Sequence, residues 1–195
     1  MTYDEAIEKL KRADRLIITV SGDIGAGKST FAKRLAQELE IPRIYIGQFI
    51  REEAAKRKIT LDELNKLQET DDTLDRYFDE MLRERSTQVK KGVFEGRTAW
   101  HFVENPTVKI FLSVDPNVAT DRIWTDRSDK RDQYGTKEAL RVANEERKAS
   151  EIKRYQNYYG IDAYDHANFD IVVDTSNLDL DEVYQKTVIK IAKNV

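Results

Sequence analysis

Short apolar runs alternate along this chain with longer stretches in which apolar side chains recur every three or four residues. The first run covers residues 16–20, and the stretch after it places Phe31, Leu35 and Leu39 on one helical face. Four more runs of strand length cover residues 44–46, 92–96, 108–114 and 169–174. Alternation of strands with amphipathic helices is typical of a parallel sheet. We therefore predict an α/β fold with a doubly wound parallel sheet, whose ligands bind where the strands end.

The sequence also indicates helix starts and the number of domains. Thr60 and Glu63 have the spacing of a capping box, which predicts that a helix begins there. A last helix is predicted to start at Asp179. Its predicted core residues are Val183, Val188 and Ile191. Because the 195 residues show no internal repeat and contain three prolines, we predict a single domain over 1–195.

Charge and composition restrict the functional class only slightly. The 33 Lys and Arg against 36 Asp and Glu give a net charge of −3, which does not favour nucleic acid or an acidic membrane as a partner. The chain has no cysteine, which excludes disulfides and thiolate metal sites. No apolar run reaches the length of a membrane span, and residues 1–15 have a charged helical pattern rather than that of a secretion signal. We expect a cytoplasmic protein, without a membrane or nucleic-acid partner, that is monomeric.

Residues 22–29 match the phosphate-binding pattern G-x-x-x-x-G-K-[ST] at every fixed position. A predicted strand precedes them and a predicted helix follows, so backbone N–H groups and the helix N-terminus can surround a phosphate. Lys28 would reach the β- and γ-phosphates of ATP, and Ser29 would ligate Mg²⁺. The alternative is a glycine turn whose only role is to start a helix. The predicted strand before the motif and the predicted helix after it favour the phosphate-binding interpretation. The predicted ATP-binding residues are Gly22, Asp23, Ile24, Gly25, Ala26, Gly27, Lys28, Ser29 and Thr30.

Arginines at predicted strand ends suggest a phosphotransferase. A kinase whose acceptor is itself a phosphate must bring two anions together, and bidentate guanidinium groups do this better than ammonium groups. In a chain that is 35% charged, any single arginine is more often a solvated surface residue, so the positions carry the argument. Those at strand ends or on one helix face are Arg51, Arg97, Arg122, Arg127, Arg147 and Arg154.

Glu95 ends the third predicted strand and has two interpretations. In that position a carboxylate can hold Mg²⁺ through water, as the second acidic feature of a P-loop protein does. The alternative is a carboxylate that caps the next helix. Because Gly96 and Arg97 follow directly, we favour the metal-side role.

Several segments beyond the P-loop form a more specific pattern. They are residues 47–52, 60–67, 74–76, 93–97, 147–155, 159–162 and 170–176. The sequence Glu95-Gly96-Arg97 and the Arg147, Glu151, Arg154 spacing are the most distinctive parts. Together these segments resemble the compact cytidylate (CMP) kinases that lack a large inserted domain. The resemblance covers residues 16 to about 191.

This resemblance implies ATP-dependent phosphorylation of CMP, with dCMP as a further acceptor. Helices in the region of about 47–90 would bind the monophosphate. Arg51 and Arg97 would hold the CMP phosphate, joined by Arg147 and Arg154 when the site closes. Lys28, Arg127, Arg147 and Arg154 would be the catalytic residues.

Other roles follow from the same resemblance. Glu151 would either accept hydrogen bonds from the acceptor nucleoside or fix Arg147 and Arg154 in position. Arg122 and Arg127 would border the ATP phosphates at the base of a short lid, at about 126–143. Asp75 and Arg76 would read the pyrimidine base, unless they form an ordinary ion pair on a helix surface.

Three features of the sequence leave alternatives open. Asp23 puts a carboxylate in the phosphate loop, where it is harmless only if it points outward. Tyr45 and Ile46 stand where relatives often have small or hydroxylated side chains, so the choice among CMP, dCMP and UMP stays open. Residues 84–86 spell the catalytic triplet Glu-Arg-Ser of deoxynucleoside kinases, although they lie in a helical pattern before a strand. A deoxynucleoside kinase and a P-loop ATPase or regulatory nucleotide-binding protein are therefore the rival predictions.

Overall fold

The computed structural model describes residues 1–126, 133–177 and 180–195. Its helices and strands alternate as the hydrophobic pattern predicts. In chain order they are α1 Tyr3–Arg12, β1 Leu16–Gly22, α2 Lys28–Leu39, β2 Arg43–Tyr45, α3 Ile46–Arg57, α4 Leu61–Gln68, α5 Thr73–Gln88, β3 Lys91–Glu95, α6 Ala99–Phe102, β4 Val108–Ser113, α7 Pro116–Asp126, α8 Lys137–Tyr159, β5 Ile171–Asp174 and α9 Leu180–Asn194.

The described strands form one parallel sheet in the order β2-β3-β1-β4-β5. Every residue of the central strand β1 is buried, because helices cover both faces of the sheet. Val20 of β1 is paired with Glu95 of β3, and Gly22 with Leu112 of β4. The loop after β1 therefore begins beside the end of β3. The predicted doubly wound α/β fold is confirmed.

The two faces of the sheet have separate cores. Ile18 and Val20 of β1 pack with residues of α1, α2 and α9, whereas Ile17 packs with Phe94 and with α5. This division follows the alternation of side chains along a strand. A third cluster, built around Phe111 and Tyr155, fixes the C-terminal half of α8 to β4. Among the described residues, no helix combines the length and the apolar character needed to cross a bilayer.

Most predicted element boundaries agree with the structure, and the second strand shows the clearest difference. It ends at Tyr45, and α3 begins at Ile46, whose side chain is buried in the core beside α5. Gly47 thus lies in a helix, and a Cβ there would come within 2.6 Å of the Tyr45 ring. The capping box of Thr60 is present. The predicted lid of about 126–143 includes the first residues of α8, and Asp179 lies outside the described residues.

Candidate active site

The loop between β1 and α2 depends on glycine at both of its ends. Gly27, the N-cap of α2, has a φ of 81°, which residues with a side chain rarely adopt. Gly22 lies so close to β4 that an added Cβ would come within 2.1 Å of the Leu112 carbonyl oxygen. The chain can therefore turn tightly into α2, whose first N–H groups and positive dipole end lie beyond β1. This end of the helix suits an anion.

Lys28 is the first residue of α2, and its side chain folds back over the loop. Its Nζ donates hydrogen bonds to the carbonyl oxygens of Gly22 at 2.9 Å and Asp23 at 2.5 Å. Burial, followed by the nearby Arg97 guanidinium, lowers the pKa of the Lys28 ammonium well below its usual range. A positive charge here is therefore costly unless an anion accompanies it.

Glu95 lies beside the P-loop, as the sequence predicted. Its Oε1 accepts a hydrogen bond from Ser29 Oγ at 2.5 Å, and its side chain is buried. Its Oε2 accepts from both Nε and NH2 of Arg43, at 3.0 and 2.5 Å. Arg43 was not identified from the sequence, because its role depends on the pairing of β2 with β3. The arginine places a positive charge directly against the buried carboxylate next to Ser29.

Glu151 on α8 is the centre of a second charged cluster. Its Oε2 accepts from Arg97 Nε at 2.7 Å and from the Tyr164 hydroxyl at 2.5 Å, and its Oε1 accepts from Arg147 Nε at 3.0 Å. Burial alone would raise the pKa of Glu151, but these two guanidinium groups and the hydroxyl hold it below its usual range. Arg97 NH1 also donates to the Gly22 carbonyl oxygen at 3.0 Å. The cluster therefore touches the P-loop directly.

Arg154 is not part of the Glu151 cluster, so one of the two roles expected for Glu151, that of fixing both Arg147 and Arg154, holds only for Arg147. Its Nε lies 2.9 Å from Asp75 Oδ2 on α5, and both side chains are almost fully buried. No described residue completes an aligned hydrogen bond to either of these two atoms. Asp75 Oδ1 accepts from Gln68 at 3.0 Å. The carboxylate that holds one arginine of the predicted face thus comes from a different helix.

A cavity of ≈ 350 Å³ is lined by residues of the P-loop, by Glu95, by the Glu151 cluster and by the Asp75–Arg154 pair. It lies at the C-terminal ends of β1 and β3, where ligands bind in open α/β sheets. Predicted site residues lining it are Ile24, Gly25, Gly27, Lys28, Ser29, Thr30, Arg51, Asp75, Glu95, Arg97, Arg147, Glu151 and Arg154.

Comparison with known proteins agrees with this geometry. Residues 17–177 match the cytidylate kinase-like family. The chain belongs to this family. It is 38% identical to the cytidylate kinase of Haloquadratum walsbyi, over 86% of this chain and 85% of that one. It is 34% identical to the cytidylate kinase of Pyrococcus horikoshii, over 84% of this chain and 81% of the relative. The predicted resemblance is thus confirmed, and the chain is a phosphotransferase.

The fold of this cytidylate kinase-like protein also occurs in kinases of low sequence identity. Shikimate kinase from Bacteroides thetaiotaomicron is 18% identical and superposes with a TM-score of 0.58. The superposition covers 91% of this chain and 97% of that one. This likeness shows a shared P-loop kinase fold.

The remaining predicted residues of the cytidylate kinase-like site lie at different distances from the cavity. Arg51 donates from NH2 to the Tyr45 hydroxyl at 2.7 Å, and both residues line the cavity. Arg76 is exposed and is paired with Asp72, so the structure brings Asp75 but not Arg76 to the cavity.

Arg122 reaches the P-loop only indirectly. It donates to the Thr175 carbonyl oxygen at 2.5 Å, and the Thr175 hydroxyl donates to Ala26 at 3.4 Å. Arg127 lies outside the described residues. The Asp23 side chain is turned outward, toward Val114 and Lys148.

The triplet at 84–86 lies inside α5 and does not line the cavity. The Ser86 hydroxyl donates to the Arg83 carbonyl oxygen at 2.7 Å and accepts from the Glu104 N–H at 2.9 Å. The second contact joins the end of α5 to the loop after α6. The structure therefore does not bring the triplet to the candidate site.

Two buried carboxylates of α5 predict a pH-dependent stability. Burial raises the pKa of Asp79 to about 6 and that of Asp75 to about 7. A raised pKa in the folded state gives stability that is present at low pH and is lost as the pH rises through that pKa. We expect the free energy of unfolding of the ligand-free protein to fall by about 5 kcal/mol as the pH rises from about 4.5 to about 7.5, about 2 kcal/mol from Asp79 and about 3 kcal/mol from Asp75.

Urea unfolding at several pH values measures this slope. Asp79→Asn should flatten it, because the variant has no carboxyl group to titrate at that position. The matched control is Glu80→Gln, which changes an exposed carboxylate on the same helix. Equal slopes for wild type and Asp79→Asn would contradict the assignment of Asp79.

Proposed function

We propose that this protein transfers the γ-phosphoryl group of ATP to CMP, and also to dCMP, with Mg²⁺. The observation that carries the proposal is the position of Arg97. Its guanidinium joins the P-loop carbonyl of Gly22 at 3.0 Å to the Glu151 carboxylate at 2.7 Å. An arginine fixed against the P-loop in this way suits a second phosphate placed beside the first. A nucleotide-binding switch would have no use for such a second anion site.

On the donor side, the chain's own groups would align and neutralise the triphosphate. Catalysis of phosphoryl transfer is mostly positioning and charge stabilisation. The N–H groups at the start of α2 would hold the phosphates, and Lys28 would exchange its two carbonyl partners for phosphate oxygens. The charge on Lys28, which is costly in the free protein, would be stabilised by the nucleotide.

Ser29 and Glu95 fit the chemistry of a magnesium site. Mg²⁺ prefers oxygen ligands and keeps several water molecules. Ser29 would be a direct ligand, whereas Glu95, already engaged by Arg43, would act through water. The bound ion would supply neutralisation of the charge on the phosphate oxygens.

On the acceptor side, we assign Asp75 to the base. Asp75 lines the cavity, and its buried Oδ2 lies 2.9 Å from Arg154 Nε but has no aligned donor among the described residues. A carboxylate accepts from the exocyclic amine of cytosine, whereas uracil presents a carbonyl oxygen at the same position. Leaving either group unpaired in a buried site is costly. This preference for an amine supports CMP over UMP.

Glu151 is assigned to the arginines rather than to the nucleoside. Both of its oxygens already accept hydrogen bonds from Arg97, Arg147 and Tyr164. We therefore give it no contact with the ribose 2′-hydroxyl, which is the reason for including dCMP. Arg51, Arg97 and Arg147 would hold the acceptor phosphate, and Arg154 would place Asp75.

The test is a coupled assay of ADP formation with CMP, dCMP, UMP, AMP, cytidine and deoxycytidine as acceptors. We expect the largest kcat/KM for CMP, a measurable value for dCMP, and at least a tenfold smaller value for UMP. The nucleosides should be inactive, because they offer no phosphate to Arg97. Phosphorylation of deoxycytidine without turnover of CMP would instead support the deoxynucleoside kinase. ATP hydrolysis that no acceptor stimulates would support the ATPase.

A further inference from the structure

Asp23 is an unusual residue for the place it occupies. It is the second residue of the P-loop, where a negative charge would repel a triphosphate. Its carboxylate does not line the cavity. Oδ2 accepts from the Val114 N–H at 3.3 Å, and Oδ1 lies 2.7 Å from Lys148 Nζ. Two donors therefore hold the carboxylate on the outer side of the loop.

The contacts of Lys148 place its ammonium group beside Asp23. It follows Arg147 directly and, like Asp23, it does not line the cavity. Its Nζ lies 4.6 Å from the centre of the Tyr164 ring, whose hydroxyl donates to Glu151. An ammonium over an aromatic face is stabilised by the ring. The Asp23 side chain is 15% exposed and the Lys148 side chain is 43% exposed, so solvent and salt screen this ion pair from the lysine side.

We propose that Lys148 is a positioning residue for triphosphate binding: it neutralises Asp23 and keeps that carboxylate turned away from the phosphates. The inference rests on the proposed function, because it assumes that the P-loop binds ATP. Without Lys148, the Asp23 charge would be uncompensated within the loop that surrounds the phosphates. Lys148 would matter only because Asp23 is present, and removal of both charges should restore binding.

The experiment is a double-mutant cycle on the full chain. The dissociation constant of a non-hydrolysable ATP analogue with Mg²⁺ is measured by calorimetry for wild type, Asp23→Asn, Lys148→Gln and the double variant. We expect Lys148→Gln to weaken binding about tenfold, Asp23→Asn to strengthen it about two- to threefold, and the double variant to bind within about threefold of wild type. Thermal melts confirm that each variant is folded.

Salt dependence provides a readout that a merely structural role would not change. The loss in Lys148→Gln should shrink as ionic strength rises, because charge repulsion is screened. The matched control is Lys153→Gln, which changes a lysine on the same helix that is paired with Glu69 at 3.8 Å. Its affinity for the analogue should equal that of wild type.

Three results would overturn the inference. A loss that persists in the double variant would show that Lys148 contacts the nucleotide itself. Wild-type affinity in Lys148→Gln would show that Asp23 needs no neutralising partner. A wild-type protein that does not bind the analogue at all would contradict the proposed function together with this inference, and is thereby distinguished from the other two.

Discussion

Replacement of Lys28 by alanine should abolish measurable phosphoryl transfer while leaving the fold intact. Lys28 is the P-loop cation closest to the bound phosphates in the proposed function, and its charge would stabilise the transferring group. We expect kcat/KM to fall by at least about 10³-fold, or roughly 4 kcal/mol of transition-state stabilisation. The fold should persist, because Lys28 is at the first position of α2 and its bonds are to carbonyls of its own loop. ADP formation and a thermal melt measure the two effects.

The control for this variant is Lys33→Ala. Lys33 is an exposed residue of the same helix, so its loss removes a positive charge without changing the P-loop. It should keep wild-type activity. If Lys28→Ala retained activity within about tenfold of wild type, the P-loop would not be the phosphoryl-transfer site.

Replacement of Arg97 by lysine should impair the use of CMP much more than the binding of ATP. Lysine keeps the positive charge but loses the planar group that contacts Glu151 and the Gly22 carbonyl at once. We expect kcat/KM for CMP to fall about 100-fold, which corresponds to roughly 2.7 kcal/mol. The dissociation constant of the ATP analogue should change by no more than about threefold. Steady-state kinetics and calorimetry measure these two quantities separately.

Arg83→Lys is the matched control, since Arg83 is an exposed arginine that pairs with Glu80 on the same helix. It should leave both measurements unchanged. Losses of equal size for CMP and for the ATP analogue would assign Arg97 to the donor phosphates. No loss for either would remove Arg97 from the site.

The parts of the site that could be predicted from the sequence are those fixed by local rules. The P-loop is a continuous motif between a strand and a helix, so its conformation follows from its glycines. Glu95 and Arg97 were predicted beside it because neighbouring parallel strands end at the same edge of the sheet. The Arg147–Glu151 pair is also local, because residues four apart share a helix face.

The parts that could not be predicted depend on how distant elements pack. The spacing on α8 suggested that Glu151 holds Arg154, but the guanidinium of Arg154 reaches Asp75 on α5 instead. Arg43 could not be identified because its contact with Glu95 requires the pairing of β2 with β3. No periodicity in the sequence contains this information.

One helix, α8, contacts three separate parts of the site. Within two turns of α8, Lys148 meets the P-loop, Glu151 meets Arg97 after β3, and Arg154 meets Asp75 on α5. An α-helix is stiff and advances about 1.5 Å per residue, so these side chains keep fixed relative positions along one rod. A tilt of α8 that moves Arg147 away from the cavity would also stretch the ion pairs of Lys148 with the P-loop and of Arg154 with α5. If the P-loop binds the donor and α5 the acceptor, as proposed, we expect the two halves of the site to open and close together.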